Sequence, residues 1–418
     1  MISSNAKYWI LLTQAIGYNT PKAKKLAKMY TDISEFFEGG ESERRFCGLF
    51  NPVELEALSS VKSDGADKVI NRCRELDYSV ITLDDPNYPS CLYNIYAPPA
   101  VLYVSGKLPD FDEHLSIGIV GTRQASRYGV ENSYKIAYAL AKYNTVVVSG
   151  GALGVDCASH RGVLAANGIT VCVRGCGINS RYLRDNEKMR EAITAKGAVI
   201  SEYPPDEEPR NFYFPARNRI IAALSDGVLL IEAGEKSGSL ITANLALEMG
   251  KDIFALLGNN SPQNYGSNYR IKEGTAIPVT DFMDILANYD CKNLSEDAVG
   301  FDSILLSDID AVPVKKKKKS AYSGNTKKEK SKNTAAPAKK ASSEIKSKAD
   351  KQEPRHKTDI KLTGDAKLVY NYLSAKPVHI DKIADDLGMP VNRVLGTLTL
   401  LEVQGLAQAL QGRNFVLK

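Results

Sequence analysis

Ser116-Ile-Gly-Ile-Val-Gly121 is a short apolar run that leads directly into a glycine turn, and Thr145-Val-Val-Val-Ser-Gly-Gly151 is a second one. Continuous β-branched runs without polar alternation are typical of strands covered on both faces, as in a parallel sheet. A glycine turn between such a strand and a helix lets the backbone approach a ligand and directs unpaired N–H groups at an anion. The two turns lie about 29 residues apart, the length of one βαβ unit, so we expect both at the same sheet edge. We place the function at that edge.

Strand patterns and helical patterns continue to alternate around and after these two turns. Apolar runs typical of strands lie at residues 101–104, 169–173, 198–201, 227–231, 253–257 and 276–279. Helical patterns fill the gaps at residues 129–143, 156–167, 186–196, 216–224 and 240–249. The repeated β-then-α order predicts an α/β fold, an extended Rossmann domain with a doubly wound, mostly parallel sheet over residues 76–289.

The N-terminal segment, residues 1–75, is predicted to be a helical module. Apolar residues recur at steps of three and four and are interrupted by Gly17-Tyr-Asn-Thr-Pro21, after which the next helix carries four lysines between residues 22 and 28. This pattern is compatible with a helix-hairpin-helix or SAM-like module that holds DNA phosphates. It is equally compatible with a small helical cap whose lysine side chains are solvated.

Two further segments follow the predicted sheet. Residues 290–358 are rich in Lys, Ser, Asn, Ala and Pro, which predicts a disordered linker that acts as a tether or as a nonspecific polyelectrolyte arm. Residues 359–418 show three helical patterns and a tail suited to a two-stranded wing turned at Gly412, which predicts a winged-helix domain. Its recognition helix carries a single basic residue, Arg393, so we favour a contact with protein, or a weak contact with DNA, over sequence-specific reading.

The composition limits the classes to which this chain can belong. Hydrophobic residues make up 43% and charged residues 25% of its 418 residues, as in ordinary globular proteins. No apolar run approaches the roughly 18 residues of a membrane span. Seven cysteines, an odd number without a Cys-x-x-Cys motif, argue against a disulfide framework and a zinc ribbon. We therefore expect a reduced, cytoplasmic protein with no bound metal, no cofactor and no membrane span.

The positive charge of the chain is concentrated in one segment. Residues 311–357 have a net charge of +12, so the remainder of the chain has a net charge of −7 against a total of +5. Because the folded parts are mildly acidic, they can bind nucleic acid only through a local patch.

Arginines and aromatic residues accompany the glycine turns. Arg123 follows the first turn and is expected at the carboxyl edge of the sheet, where a guanidinium can hold a phosphate through two hydrogen bonds. The segment Phe212-Tyr-Phe-Pro-Ala-Arg-Asn-Arg219 combines rings with guanidinium groups, as single-stranded nucleic acid requires. A third glycine turn offers Gly238 and Ser239 as backbone or hydroxyl donors.

Each of these features has a structural explanation as well. A glycine turn can serve tight packing alone. Arg217 and Arg219 could form structural ion pairs. Their carboxylate partners would be Glu202 or Glu232, and Phe214 could belong to the core. Three glycine turns and two arginine sites in one sheet domain favour the functional interpretation.

Several blocks of residues follow one another in a characteristic order. They are Gly118-Ile-Val-Gly-Thr-Arg123, Val148-Ser-Gly-Gly-Ala-Leu-Gly-Val-Asp156 with His160, Ile200-Ser-Glu-Tyr203, Phe214-Pro-Ala-Arg-Asn-Arg-Ile-Ile221, and Glu232 through Ser237-Gly-Ser-Leu-Ile-Thr242. In sequence and order these blocks resemble the DNA-processing protein DprA (Smf) family. The resemblance covers residues 80–285, and the N-terminal helices and the winged helix fit the longer members of the family.

The resemblance implies a bacterial protein that binds single-stranded DNA on an extended Rossmann domain. It further implies that the protein protects incoming DNA and loads the recombinase RecA in natural transformation (competence), DNA processing and recombination, as a homodimer. The family's DNA-binding positions map onto Arg123 and Phe214 and, within the motif of Phe214, onto Arg217, Asn218 and Arg219. We therefore predict an interface made of Gly121, Thr122, Arg123, Ser126, Gly150, Gly151, Phe214, Arg217, Asn218, Arg219, Gly238 and Ser239.

The chain departs from the family pattern in three loops. Asn211 stands where family members carry a basic residue before the Phe-Pro pair, and Arg210 is the neighbouring substitute. Tyr182-Leu183 replaces a Tyr-Pro pair, and Leu257-Gly258 replaces a Pro-Gly pair. We expect the geometry of these loops, rather than the fold of the domain, to differ.

An enzymatic function is the alternative to a DNA binder without catalytic residues. The glycine turns also resemble, more loosely, those of nucleotide phosphoribohydrolases of the lysine-decarboxylase-like group, which carry a catalytic acid just after their Gly-Gly-x-Gly-Thr turn. Here Leu240-Ile-Thr-Ala-Asn244 contains no carboxylate, and the first that follows is Glu248, so the general acid/base is missing. A transcription factor acting through the winged helix is disfavoured by the scarcity of base-reading side chains. We therefore predict a DNA-binding protein that is not an enzyme.

Overall fold

A computed structural model describes residues 1–289, 365–374, 376–403, 405–410 and 414–417. The chain divides into two units, residues 1–323 and residues 324–418, and each is described by itself below. The predicted linker, residues 290–358, and the predicted wing turn at Gly412 lie outside the described residues. The proposed domain boundaries after residues 75, 289 and 358 stay predictions.

Short helices occupy the first 75 residues. They are α1 (Ala6–Ile16), α2 (Lys22–Met29), α3 (Ile33–Glu38), α4 (Gly40–Phe46), α5 (Pro52–Ser60) and α6 (Ser63–Glu75). Two lysines of α2 are engaged within the protein, because Lys22 forms an ion pair with Glu54 and Lys24 donates to the carbonyl of Ile95. The buried side chains of these helices continue into the core of the sheet that follows. A helix-hairpin-helix or SAM-like identity stays a prediction.

A nine-stranded sheet forms the centre of the first unit. Its strands are β1 (Ser79–Thr82), β2 (Val101–Gly106), β3 (Ser116–Gly121), β4 (Val146–Ser149), β5 (Thr170–Arg174), β6 (Ala198–Ser201), β7 (Gly227–Ile231), β8 (Asp252–Leu256) and β9 (Ile277–Val279). They run in the order β1-β2-β6-β5-β4-β3-β7-β8-β9. All neighbours are parallel except β1–β2 and β2–β6, which are antiparallel. The predicted mostly parallel, doubly wound sheet is confirmed, and β1 is a strand that the apolar pattern did not predict.

β3 lies at the centre of the sheet and fixes where a ligand can bind. From β3 the chain proceeds to β4, β5 and β6 on one side and then returns to β7 on the other, so the strand order reverses at β3. In open α/β sheets, ligands bind at the carboxyl ends of the strands at such a reversal. The apolar runs of β3 and β4 are buried along their length, as expected for strands covered on both faces.

Helices cover both faces of the sheet. They are α7 (Ser90–Tyr93), α8 (Arg127–Lys142), α9 (Val155–Ala165), α10 (Glu187–Thr194), α11 (Tyr213–Ala223), α12 (Ser239–Glu248), α13 (Tyr265–Lys272) and α14 (Met283–Leu286). α11 begins at Tyr213, three residues before the predicted start at Ala216, so Phe214 and Pro215 lie in its first turn. Proline is tolerated there because the first N–H groups of a helix have no intrahelical acceptor.

The second unit has the arrangement of a winged helix-turn-helix. Its described helices are α15 (Asp365–Tyr372), α16 (Ile380–Leu387) and α17 (Val391–Val403), and its antiparallel strands are β10 (Val378–His379), β11 (Ala407–Leu410) and β12 (Asn414–Leu417). Gly388 ends α16 in the left-handed region, φ +62°, which glycine adopts without strain. The sequence predicted the three helices and a two-stranded wing but missed β10. Arg393 of the recognition helix forms an ion pair with Asp365.

Candidate nucleic-acid interface

A cleft of about 640 Å³ opens at the carboxyl edge of the sheet, where the strand order reverses. Its walls come from the end of β3, from the first turns of α11 and from the start of α12. Eight of the twelve predicted residues line it, namely Gly121, Thr122, Arg123, Phe214, Arg217, Asn218, Gly238 and Ser239. The structure therefore brings three segments that are distant in sequence to one surface.

Arg123 and Phe214 form the centre of this cleft. The guanidinium carbon of Arg123 lies 5.4 Å from the centroid of the Phe214 ring, a distance at which a cation and an aromatic face attract each other. The Tyr182 ring packs against the same phenyl ring at 5.1 Å and 47°. Gly175 lies beneath the ring, and a Cβ atom there would come within 2.8 Å of it. Arg123 is exposed while Phe214 is half-buried, so the cleft presents a free cation beside a ring held in place.

The amino end of α12 forms the opposite wall. Its cap residue, Gly238, has no side chain to accept the first N–H groups, and a Cβ atom at this position would meet no atom within 4 Å. Asn218 donates from its amide to the carbonyl of Gly238 at 3.4 Å, and the hydroxyls of Ser237 and Ser239 lie 2.7 Å apart. The N–H of Ser239 donates to the hydroxyl of Ser237 at 3.4 Å and that of Leu240 to the carbonyl of Ser237 at 3.1 Å, so neutral groups rather than a carboxylate cap this terminus. The positive end of a helix that faces a cleft favours a negatively charged ligand.

Arg217 lines the cleft, but its side chain is almost fully buried. It is 5% exposed, and its Nη1 donates to the carbonyls of Gly150 (3.0 Å) and Val173. Burial lowers the pKa of Arg217, and the charge of Asp156 opposes that shift. Burial raises the pKa of Asp156, although Arg217 and Arg123 act in the opposite direction. The predicted phosphate contact of Arg217 stays a prediction, and its guanidinium is a largely buried positive charge in the cleft wall.

Arg219 lies outside the cleft, contrary to the prediction. Its guanidinium forms an ion pair with Glu202 at 2.6 Å and donates from Nε to the carbonyl of Ala97 at 2.9 Å. Both side chains of the pair are buried, at 7% and 2% exposure. The geometry therefore supports a structural role for Arg219, an ion pair with Glu202, rather than a contact with DNA.

The second glycine turn does not line the cleft either. A Cβ atom on Gly150 would lie within 2.7 Å of both the Arg217 guanidinium and the Asp156 carboxylate, so this glycine makes room for that buried pair. Gly151 is buried with φ +66°, and its carbonyl accepts from the amide of Asn186 at 3.2 Å. The role of these two glycines is corrected from ligand contact to packing of the turn.

Ser126 is engaged with a carboxylate from another strand. Its backbone N–H donates to Glu232 at 2.7 Å, and its hydroxyl donates to the same carboxylate. Ser126 also caps α8 by accepting from the N–H of Gly129 at 3.2 Å. Glu232 is buried, so the amino end of α8 is filled by a charge of the protein itself. The predicted DNA contact of Ser126 therefore has no support in this arrangement.

Tyr182, Asp156 and Asn211 line the cleft but were not among the predicted interface residues. The ring of Tyr182 is brought to Phe214 by a loop whose path the sequence does not reveal. Asp156 follows the second glycine turn, and that position at the carboxyl edge of the sheet is the sequence signal for its place in the cleft. Arg210, the substitute for the missing basic residue, pairs with Glu207 at 3.3 Å and lies over the ring of Tyr213.

Two family models match the chain. The model of the DNA recombination-mediator protein A matches residues 79–290, and that of the DprA winged helix domain matches residues 353–413. The chain belongs to the DprA family. The predicted family membership is thereby confirmed, and the matched residues include every element that lines the cleft.

Individual DprA and Smf proteins are similar over much of their length. Protein Smf from Synechocystis is 36% identical over 277 residues, which are 63% of this chain and 66% of that protein. DNA processing protein DprA from Streptococcus pneumoniae is 39% identical over 207 residues, 49% of this chain and 72% of that protein. The matched segment thus spans just under two thirds of the Synechocystis relative.

The fold agrees with a solved structure of the same family. The X-ray structure of DprA from Streptococcus pneumoniae superposes with a TM-score of 0.59 at 32% identity and covers 69% of this chain and 99% of its own. Within the described part of the chain, none of the helices has the length and apolar character needed to cross a membrane. Within the same residues, no group of three or more His, Cys, Asp or Glu side chains could hold a metal ion.

Proposed function

We propose that this chain binds single-stranded DNA in the cleft between β3, α11 and α12 without altering it chemically. A phosphate meets the Arg123 guanidinium and the N–H groups at the amino end of α12, while a base stacks on Phe214. The observation that carries this proposal is the exposed Arg123 placed 5.4 Å from the Phe214 ring. Cations interleaved with aromatic faces bind unpaired strands, since every base offers a face for stacking.

Family membership extends this proposal to a biological role. Relatives are named DNA processing protein DprA, and the matching family model is that of a recombination mediator. We propose that the chain protects incoming single strands and loads the recombinase RecA onto them during natural transformation and DNA processing. We also propose that it acts in the cytoplasm as a homodimer without a cofactor.

The enzymatic alternative has weaker support from the cleft. Glu248, the first carboxylate after the third glycine turn, lines a different cavity, beside Met249 and Lys251. Among the described residues, Asp156 is the only carboxylate that lines the cleft, and it accepts a hydrogen bond from the N–H of Ala152 at 3.3 Å. Incubation with AMP or CMP is expected to yield no free base. Appreciable base release that is lost in Asp156→Asn would establish the enzyme instead.

The substitution Arg123→Ala tests the binding site. It removes an exposed cation from the cleft, so the affinity for oligo-dT should fall severalfold or more. The slope of log affinity against log salt should decrease by about 0.7, the value for one lost phosphate contact on a single strand. Lys142→Gln is the matched control, because it removes a positive charge near the carboxyl end of α8, at the opposite edge of the sheet. Unchanged affinity in folded Arg123→Ala would exclude this cleft as the DNA site.

A further inference from the structure

A second cavity, of about 450 Å³, lies next to the loop that carries Tyr182. The loop contributes Tyr182 to the DNA cleft, whereas its neighbours Arg181 and Arg184 line the second cavity. A third arginine, Arg190 of α10, lines the cavity from the side. The DNA cleft and the second cavity are thus lined by neighbouring residues of one loop.

Arg190, which lines this second cavity, and Arg174, whose charge acts on it, are two buried cations. Arg190 is 8% exposed and donates to the carbonyl of Leu183 at 2.9 Å. Arg174 is 5% exposed and donates to the carbonyl of Ser180 at 3.1 Å. Its Nε has no hydrogen-bond partner among the described residues. Burial and the nearby charge of Arg174 together lower the pKa of Arg190.

Neither buried arginine has a carboxylate partner close enough to neutralise it. Within residues 1–289, no carboxylate oxygen lies within 4 Å of the guanidinium nitrogens of Arg174 or Arg190. Glu187 and Glu191 line the cavity, and Glu187 is 3.7 Å from the exposed side chain of Arg184. Glu187 acts on Arg190 only over a longer distance and raises its pKa against the effect of burial. Buried charges are expensive unless they are paired, so two buried guanidinium groups with no carboxylate in contact favour an anion from outside.

We propose that this cavity is a second phosphate site for the same DNA strand. The inference rests on the proposed function, because the strand that stacks on Phe214 and Tyr182 is the one that continues over the loop. Arg181 and Arg190 hold a phosphate that lies a few nucleotides from the stacked base. The site holds backbone and reads no base, so it lengthens the footprint on DNA without adding sequence preference.

Oligonucleotides of two lengths distinguish the contributions of the two sites to binding. Binding is measured with oligo-dT of about 4 and about 16 nucleotides, the range of footprints of compact single-strand binders. Arg181→Gln changes an exposed side chain and leaves the fold intact, and Arg190→Gln removes the buried cation. Each should weaken binding of the long oligonucleotide severalfold and lower its salt slope by about 0.7, and each should weaken the short one clearly less. Lys142→Gln is the control.

The outcomes distinguish this inference from the proposed function. If Arg123→Ala weakens both oligonucleotides while Arg181→Gln and Arg190→Gln leave the long one unchanged, the second site is refuted and the DNA cleft stands. Equal weakening of the short oligonucleotide by Arg181→Gln would also refute it, because the arginine would then act on the first site. Should inorganic phosphate bind in an Arg190-dependent manner without competing with the long oligonucleotide, the cavity would be a site for free phosphate and the inference would be wrong. If the Arg190→Gln variant does not fold, the binding of the long and the short oligonucleotide to Arg181→Gln alone decides whether the second site exists.

Discussion

The substitution Phe214→Leu tests whether the ring in the cleft stacks on a DNA base. Phe214 is half-buried and packs on Gly175 and Tyr182, with Arg123 over its face. Leucine keeps much of the buried apolar volume, so the helix start and the loop should persist. The substitution removes the flat face on which a base could lie, and it changes no charge.

The expected loss of affinity follows from the energy of stacking. A base on an aromatic side chain contributes about 1–3 kcal/mol by alanine substitution, and leucine retains part of the apolar contact. We therefore expect binding of oligo-dT to weaken by about 1–2 kcal/mol, roughly 5- to 30-fold. The salt slope should stay unchanged because the number of phosphate contacts is the same. Arg123→Ala, by contrast, should lower both the affinity and the slope.

Fluorescence anisotropy of labelled oligo-dT across a salt series measures both quantities. Phe212→Leu is the matched control, because Phe212 is two residues away, 63% exposed and absent from the lining of the cleft. The control should bind as the unmodified chain does. If Phe212→Leu and Phe214→Leu weaken binding equally, the loss comes from the helix start and not from stacking. A folded Phe214→Leu variant with full affinity would refute the assignment of the ring.

Two further substitutions test the corrected roles of buried charges. Arg219→Ala leaves the buried carboxylate of Glu202 without its ion-pair partner, so the free energy of unfolding measured in urea should fall by about 3–5 kcal/mol. The folded fraction should keep its affinity for oligo-dT. Weaker binding at unchanged stability would instead show that Arg219 contacts the DNA. Asp156→Asn removes a negative charge that faces the phosphates and should tighten binding by about 1 kcal/mol at neutral pH. Since the native pKa of Asp156 is raised, the carboxyl group becomes neutral as the pH falls through that value, and the advantage of the asparagine should shrink with it; an advantage that grows on acidification would contradict this reasoning.

The sheet and the position of Arg123 could be predicted from local sequence. Apolar runs with glycine turns specify β3 and β4, because such runs are stable only when both faces are covered. Parallel strands then bring their carboxyl ends to one edge, which places Arg123 at that edge. The choice of Phe214 as its neighbour came from the resemblance to the DprA family, because a loop of eleven residues separates β6 from α11 and strand topology does not fix its path.

The direction of Arg219 depended on the phase of one helix. Phe214 and Asn218 are four residues apart and share a face of α11, whereas Arg219 is five residues from Phe214 and points away from it. The apolar pattern placed the helix start three residues too late, at Ala216, so it did not show which side chains share a face with Phe214. The partners that hold Arg219 also come from distant segments, the carbonyl of Ala97 and the carboxylate of Glu202, which a local pattern does not reveal.

The difference between two helix termini explains where the anion site lies. In a Rossmann sheet the first strand-to-helix turn commonly holds a ligand phosphate at the helix start. Here the carboxylate of Glu232 fills that position at α8, and Gly129 must lack a side chain because a Cβ atom would lie 2.5 Å from a carboxylate oxygen. Glu232 has a φ of +48°, in the left-handed region, where a residue with a side chain is strained. Such strain persists only where the surrounding contacts enforce it. The amino end of α12 has no such internal anion and faces Arg123 across the cleft. The protein thus places a carboxylate at one helix terminus and only neutral groups at the next, which supports the proposal that a phosphate of the DNA meets α12 rather than α8.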